Sequence, residues 1–135
     1  MPRWILLEHT AAPDDPAGRH FDLLVEEGES CRSWRLAAIP VADGASVPAV
    51  AIAPHRLAWL DHRSGPVSGG RGFARRVAAG DCVIRADAAP AAGAFRWRIE
   101  FAGDVLCGTL VIDSVGDQAP VGPAAAGRAR LVGGA

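Results

Sequence analysis

The sequence predicts an all-β protein, a compact antiparallel β-barrel of about seven to eight short strands followed by a flexible C-terminal tail. Three observations carry that expectation. Apolar and polar residues alternate with period two in residues 20–26 and 95–101. Gly, Pro, Asp and Ser clusters punctuate the chain at short intervals. No stretch carries a convincing helical periodicity.

The elements follow in order. Residues 3–9 form an apolar run, Trp4-Ile5-Leu6-Leu7, that ends in Glu8-His9 and reads as the first strand. Pro13, Asp14, Asp15 and Pro16 make residues 10–18 a loop. Residues 20–26 are the second strand, with Phe21, Leu23 and Val25 on one face. His20, Asp22 and Glu26 share the opposite face with Leu24. Glu27-Gly28-Glu29-Ser30 is a turn, and residues 31–39 return as the partner of a hairpin. Pro40, Gly44, Pro48 and Pro54 predict a wandering connection over 40–54. Residues 55–62 read as extended, and 64–72 as a glycine-dense turn.

Residues 73–77 and 82–86 read as two short strands split by Ala78-Ala79-Gly80-Asp81. After a small-residue loop at 88–93, residues 95–101 alternate cleanly and pair across Gly103-Asp104 with 105–112. Residues 1–115 are therefore expected as one barrel domain, and the Gly, Ala and Pro of 116–135 as a disordered tail.

Composition narrows the function classes. The chain has 135 residues, enough for one real core, and a net charge of −1, so it is no general magnet for nucleic acid. All 14 basic residues are arginine, which removes lysine as a nucleophile or phosphate ligand. Cys31, Cys82 and Cys107 are odd in number and contain no C-x-x-C pair, so reduced thiols in a cytoplasmic protein are expected. The first apolar run is too short for a signal peptide, and no stretch has the length of a membrane span.

The face of residues 20–26 that carries His20 and Asp22 suggests chemistry. An imidazole and a carboxylate two residues apart on a strand stand within about 7 Å, close enough to hold one cation. If residues 3–9 pair with this strand, His9 completes a two-His, one-carboxylate set. On spacing alone, the same residues also read as solvated groups on an edge strand. His55, between Pro54 and Arg56, is either a basic group that meets a phosphoryl oxygen or a surface histidine. His62 reads as solvated. Ser68-Gly69-Gly70-Arg71-Gly72 offers N–H groups and a guanidinium to a phosphate, but it is no Walker motif and is equally a plain turn. Arg75 and Arg76 extend that basic rim or are simply solvated, and Trp59 is the tryptophan left open for base stacking.

Taken together, these residues resemble the 3′-phosphoesterase module of bacterial DNA ligase D and its stand-alone relatives. The matching pattern is an apolar strand ending in Glu8-His9, then His20-Phe21-Asp22, Glu26, Gly28 and Ser33-Trp34. His55 with Trp59 four residues on, and the glycine-rich 65–72, complete it, so the resemblance spans about residues 3–113. It implies a compact β-barrel and a divalent metal, Mn²⁺ first with Zn²⁺ or Co²⁺ as alternatives, on His9, His20 and Asp22. It also implies a catalytic His55 at the scissile phosphate. Trp59 and Glu26 are the candidate substrate contacts, and Arg71 is the candidate second catalytic residue.

The implied function is removal of 3′-phosphate or 3′-ribonucleotide ends of DNA in repair, alongside other DNA-repair proteins and away from membranes. The chain departs from the pattern at Leu24, where the family has arginine, and at Leu7, Ala53 and Trp59. The family's lysine after Ser-Trp is also absent. The alternative expectation is therefore a non-catalytic barrel that keeps the metal pocket and binds nucleic acid or a protein partner.

Overall fold

The computed structural model describes residues 1–13, 15–86, 96–114 and 125–133. It is all-β, as expected: a closed eight-stranded antiparallel barrel with one extra short strand. The strands are β1 (Arg3–Thr10), β2 (Arg19–Glu27), β3 (Ser30–Leu36), β4 (Val47–Arg56), β5 (Gly65–Pro66), β6 (Phe73–Ala86), β7 (Arg96–Ala102), β8 (Cys107–Ser114) and β9 (Ala125–Val132). Around the wall the order is β1-β2-β3-β4-β9-β8-β7-β6, closed by β6 on β1, with β5 paired to the start of β6. Among the described residues, no helix is long and apolar enough to cross a membrane.

Alternation places one row of each strand inside. Trp4 and Leu6 of β1, Phe21, Leu23 and Val25 of β2, Trp34 of β3, Ile99 and Phe101 of β7, Leu110 and Ile112 of β8, and Leu131 of β9 fill the interior. The opposite row of β1 and β2 is also buried. Ile5, Leu7 and Leu24 pack with Cys31 and Leu60 in a second, smaller core on the outer wall. That core exists because a 3-10 helix, Leu57–Asp61, lies over it and brings in Leu57 and Leu60 at the three-residue repeat of such a helix. Residues 57–61 are therefore not extended, as the sequence suggested. Leu24, the apolar interruption in the ligand face, is the residue this cover buries.

Three further expectations are corrected. Residues 47–54, expected as part of a wandering connection, join 55–56 in β4 between β3 and β9. Pro48 still contributes its carbonyl, which accepts the Ala37 N–H at 3.1 Å. Pro54 lies where the β3–β4 register shifts between Cys31 and Ser33, an irregularity that tolerates a missing N–H.

The two short strands expected over 73–86 are one strand, β6, which pairs with β1 through Asp81 and with β7 from Cys82 onward. Its Ala-Ala-Gly segment is small because Trp4 packs there. A Cβ on Gly80 would stand 3.4 Å from the Trp4 indole nitrogen, which itself donates to the Asp81 carbonyl at 3.1 Å.

Residues 125–132, expected in the tail, form β9, with Ala129 and Leu131 buried between β4 and β8. The barrel thus reaches beyond residue 115. The expected loop at 88–93, Phe95 and residues 116–124 lie outside the described residues. The described cysteines form no disulfide; Cys31 and Cys82 are buried and Cys107 is exposed.

Candidate metal centre and anion pocket

The site sits on the outer wall, beside the second core. In the β1–β2 register His9 faces His20 and Leu7 faces Asp22, so both histidines and the carboxylate share the outer row. Their ligand atoms all lie within 4.8 Å of one another. His9 Nδ1 is 3.5 Å from Asp22 Oδ2, and His20 Nε2 is 3.3 Å from Asp22 Oδ1. Two ligand atoms about 2.1 Å from a common cation stand roughly 3 to 4 Å apart, and both His–carboxylate separations fall in that range.

Burial makes the case sharper. His20 is 3% exposed and Asp22 6%. His20 Nε2 and Asp22 Oδ1 are buried and face each other without hydrogen-bond geometry, and neither has another hydrogen-bond partner among the described residues. Buried polar atoms without partners are costly, and a cation between them removes the cost.

Each histidine is oriented from behind. His9 Nε2 donates to the Arg71 carbonyl at 2.6 Å, leaving Nδ1 toward Asp22. His20 Nδ1 donates to Asp15 Oδ2 at 2.8 Å, leaving Nε2 inward. Burial pulls the His20 pKa down, but the nearby carboxylates of Asp22 and Asp15 outweigh it, and the net shift is upward. The hydrogen bond from His20 holds the Asp15 carboxyl below its ordinary range.

The Arg71 carbonyl reaches His9 through the turn between β5 and β6. That turn needs a glycine at position 72: its φ is +89°, and a Cβ there would stand 2.1 Å from the Thr10 carbonyl oxygen. The Arg71 side chain is tied within the turn, Nε to the Ser68 carbonyl at 2.7 Å and a terminal nitrogen to Ser68 Oγ at 3.1 Å.

A cavity of about 570 Å³ opens beside the cluster, lined among others by His9, Asp22, Arg35, His55, Arg56, Trp59 and Arg71. His55 Nδ1 donates to Ser33 Oγ at 2.8 Å, because the Ser33 hydroxyl donates to the Cys31 carbonyl at 3.0 Å. Its Nε2 therefore carries the lone pair. Burial lowers the His55 pKa, so the ring is neutral at pH 7. Trp59 stands edge-on to His55, ring centroids 6.1 Å apart, and leans on His62 at 4.7 Å. His62 is half-buried and bonded to the Ala74 carbonyl at 3.1 Å, so it is a buttress for Trp59 and not the solvated group expected.

The structure brings together His9, His20, Asp22, His55, Trp59 and Arg71 of the sequence candidates. Glu26 is placed elsewhere: it accepts the Arg3 backbone N–H at 3.0 Å and does not line the cavity. Arg75 pairs with Glu8 at 3.1 Å, also outside it.

Sequence reasoning missed Arg35, Arg56, Ser33 and Asp15. Arg35 is directly opposite Asp22 in the β2–β3 register, with its Nε 3.9 Å from Asp22 Oδ1. Counting back from the Gly28 turn in the hairpin would have found that pairing. No protein-family model and no curated protein sequence matches this chain.

Proposed function

We propose that this protein is a divalent-metal-dependent phosphoesterase acting on a phosphorylated 3′ end, a 3′-phosphate or 3′-ribonucleotide of the kind met in DNA repair. The observation that carries the reading is the His9–His20–Asp22 cluster, buried at His20 and Asp22, opening onto a cavity with three arginines and a neutral histidine. The chain as a whole has a charge of −1, yet Arg35, Arg56 and Arg71 line this one cavity, which favours an anion there. Its volume, about 570 Å³, falls in the range of small-molecule sites, roughly 300–1,000 Å³. The ordered motifs that resemble the ligase D module point to the same substrate class.

His9 Nδ1, His20 Nε2 and Asp22 would hold a cation, with Mn²⁺ the first candidate, which would supply Lewis acidity toward a phosphoryl oxygen and lower the pKa of a water. The protein's own residues do the rest. Arg35 and Arg56 hold the phosphate oxygens by charge and direction. His55, neutral with its Nε2 lone pair available, accepts the proton of the attacking water as Ser33 fixes its tautomer. Trp59, braced by His62, presents an aromatic edge to the leaving nucleoside.

One observation favours a second reading, a non-catalytic module that keeps the pocket and binds nucleic acid or a protein partner. Leu24 is fully buried in the outer core, so β2 carries no cation where the resembled family has arginine. The discriminating experiment offers primer–template oligonucleotides with 3′-phosphate or 3′-ribonucleotide ends, with Mn²⁺, Zn²⁺ or Co²⁺ in turn. Metal-dependent release of phosphate or nucleoside, lost in Asp22→Ala, supports the enzyme. Binding of the same ends without turnover supports the module.

A further inference from the structure

The loop between β1 and β2 is tied to itself. Ala11 N–H donates to the Gly18 carbonyl at 3.2 Å, Asp15 N–H to Ala12 at 3.1 Å and Gly18 N–H to Asp15 at 3.1 Å. Ala11 sits at φ 56°, a left-handed conformation that a non-glycine residue adopts at a cost. What these bonds accomplish is the placement of one side chain. Asp15 Oδ1 accepts the Ala17 N–H at 3.0 Å, and Oδ2 accepts His20 Nδ1–H at 2.8 Å. The carboxylate is thus held at both oxygens, one by the loop and one by the imidazole behind the cation cluster.

We propose that Asp15 is a positioning residue: it fixes His20 with the proton on Nδ1 and the Nε2 lone pair aimed at Asp22, and so sets the cation affinity of the site. The inference rests on the cation reading of His9, His20 and Asp22 given above and names a fourth residue on which that site depends. A carboxylate behind a ligating imidazole locks the ring, selects its tautomer and raises its basicity. His9 is held differently, by the Arg71 carbonyl, which orients the ring without a charge. The two histidines are therefore unequal, with His20 the stronger donor. Asp15 does not itself line the cavity, and its carboxylate meets the cluster at His20 Nδ1, on the side away from Asp22.

The test compares wild type with Asp15→Asn and Asp15→Ala by two readouts. Long-range ¹H–¹⁵N spectra of the cation-free protein at pH 8 report which His20 nitrogen carries the proton. Calorimetric titration with Mn²⁺ and with Zn²⁺ reports affinity. The expected result is a single Nδ1–H form in wild type and a mixed tautomer in Asp15→Ala, with cation affinity down about 10- to 100-fold. Asp15→Asn, whose amide oxygen still accepts from Nδ1–H, keeps the tautomer and falls between the two in affinity. An Asp15→Ala protein that keeps both the Nδ1–H form and wild-type affinity overturns the inference and leaves Asp15 as a loop tie alone. A wild type that takes up neither cation overturns the underlying cation reading together with this one. The two failures are told apart by whether the wild type binds.

Discussion

The two faces of β2 are both buried, and they are buried for different reasons. On the inner face Phe21, Leu23 and Val25 meet the apolar rows of other strands, and every group there is satisfied by packing. On the outer face Leu24 lies under the 3-10 helix, while His20 and Asp22 are buried with two polar atoms that face each other and have no other hydrogen-bond partner among the described residues. A strand that needed only to close the barrel would not bury an imidazole and a carboxylate in that way. The contrast separates a face filled by apolar packing from one whose buried polar groups could hold a cation.

The largest expected effect lies on the outer side. His55→Ala is predicted to lower turnover about 10²- to 10⁴-fold, as loss of a general base does. Cation affinity, measured by calorimetry on the same protein, should stay unchanged. A parallel loss of both would place His55 in the cation shell and blur the division of roles.

Substitutions on the two faces sharpen the comparison next. Leu23→Ala and Leu24→Ala each delete a fully buried side chain. Denaturant unfolding should show a loss of about 2–5 kcal/mol for each, smaller for Leu24, because a 3-10 cover can settle into the space more readily than a closed barrel. Equal losses would mean that the outer core is as rigid as the inner one.

Gly72→Ala forces a Cβ onto the Thr10 carbonyl at a left-handed φ. We expect about 1–3 kcal/mol of destabilisation, together with weaker cation binding, because the Arg71 carbonyl that orients His9 is displaced. Wild-type cation affinity in this variant would show that His9 needs no such support.

The smallest effect is a pH limb. His55 has its pKa lowered by burial, so the neutral form needed to accept a proton persists below its ordinary 6.5. Activity should fall only as pH drops through a value under 6.5, and His55→Ala should flatten that limb. The sign for folding is the same: a histidine whose folded pKa is depressed adds stability above its unfolded pKa, and that stability is lost on acidification.

Much of this was legible in the residues. The Gly28 turn and the alternation beside it determine the β2–β3 hairpin, and the apolar run ending in His9 pairs where the ligand set requires. What stayed hidden was set by tertiary context. Among its described side chains, β9 offers Ala129 and Leu131 to the core between Gly and Arg residues, too weak a pattern until β4 and β8 flank it. β4 runs through prolines that an irregular pairing accommodates. The small residues of β6 make room for Trp4 and do not turn the chain. At the site, the grouping of His9, His20 and Asp22 could be read from spacing and strand pairing. Their supports could not, because Asp15, Ser33 and the Arg71 carbonyl reach the histidines only through loop geometry or a cross-strand register.

The central claim is that the buried outer row of β1 and β2 is a cation site. Calorimetric titration of wild type, His20→Ala and Asp22→Ala with Mn²⁺ and Zn²⁺ tests it most directly. One equivalent should bind to wild type and none to either variant, with all three proteins folded by circular dichroism. Equal, weak binding by all three would contradict it, and would make His9, His20 and Asp22 a buried polar cluster with no cation to hold.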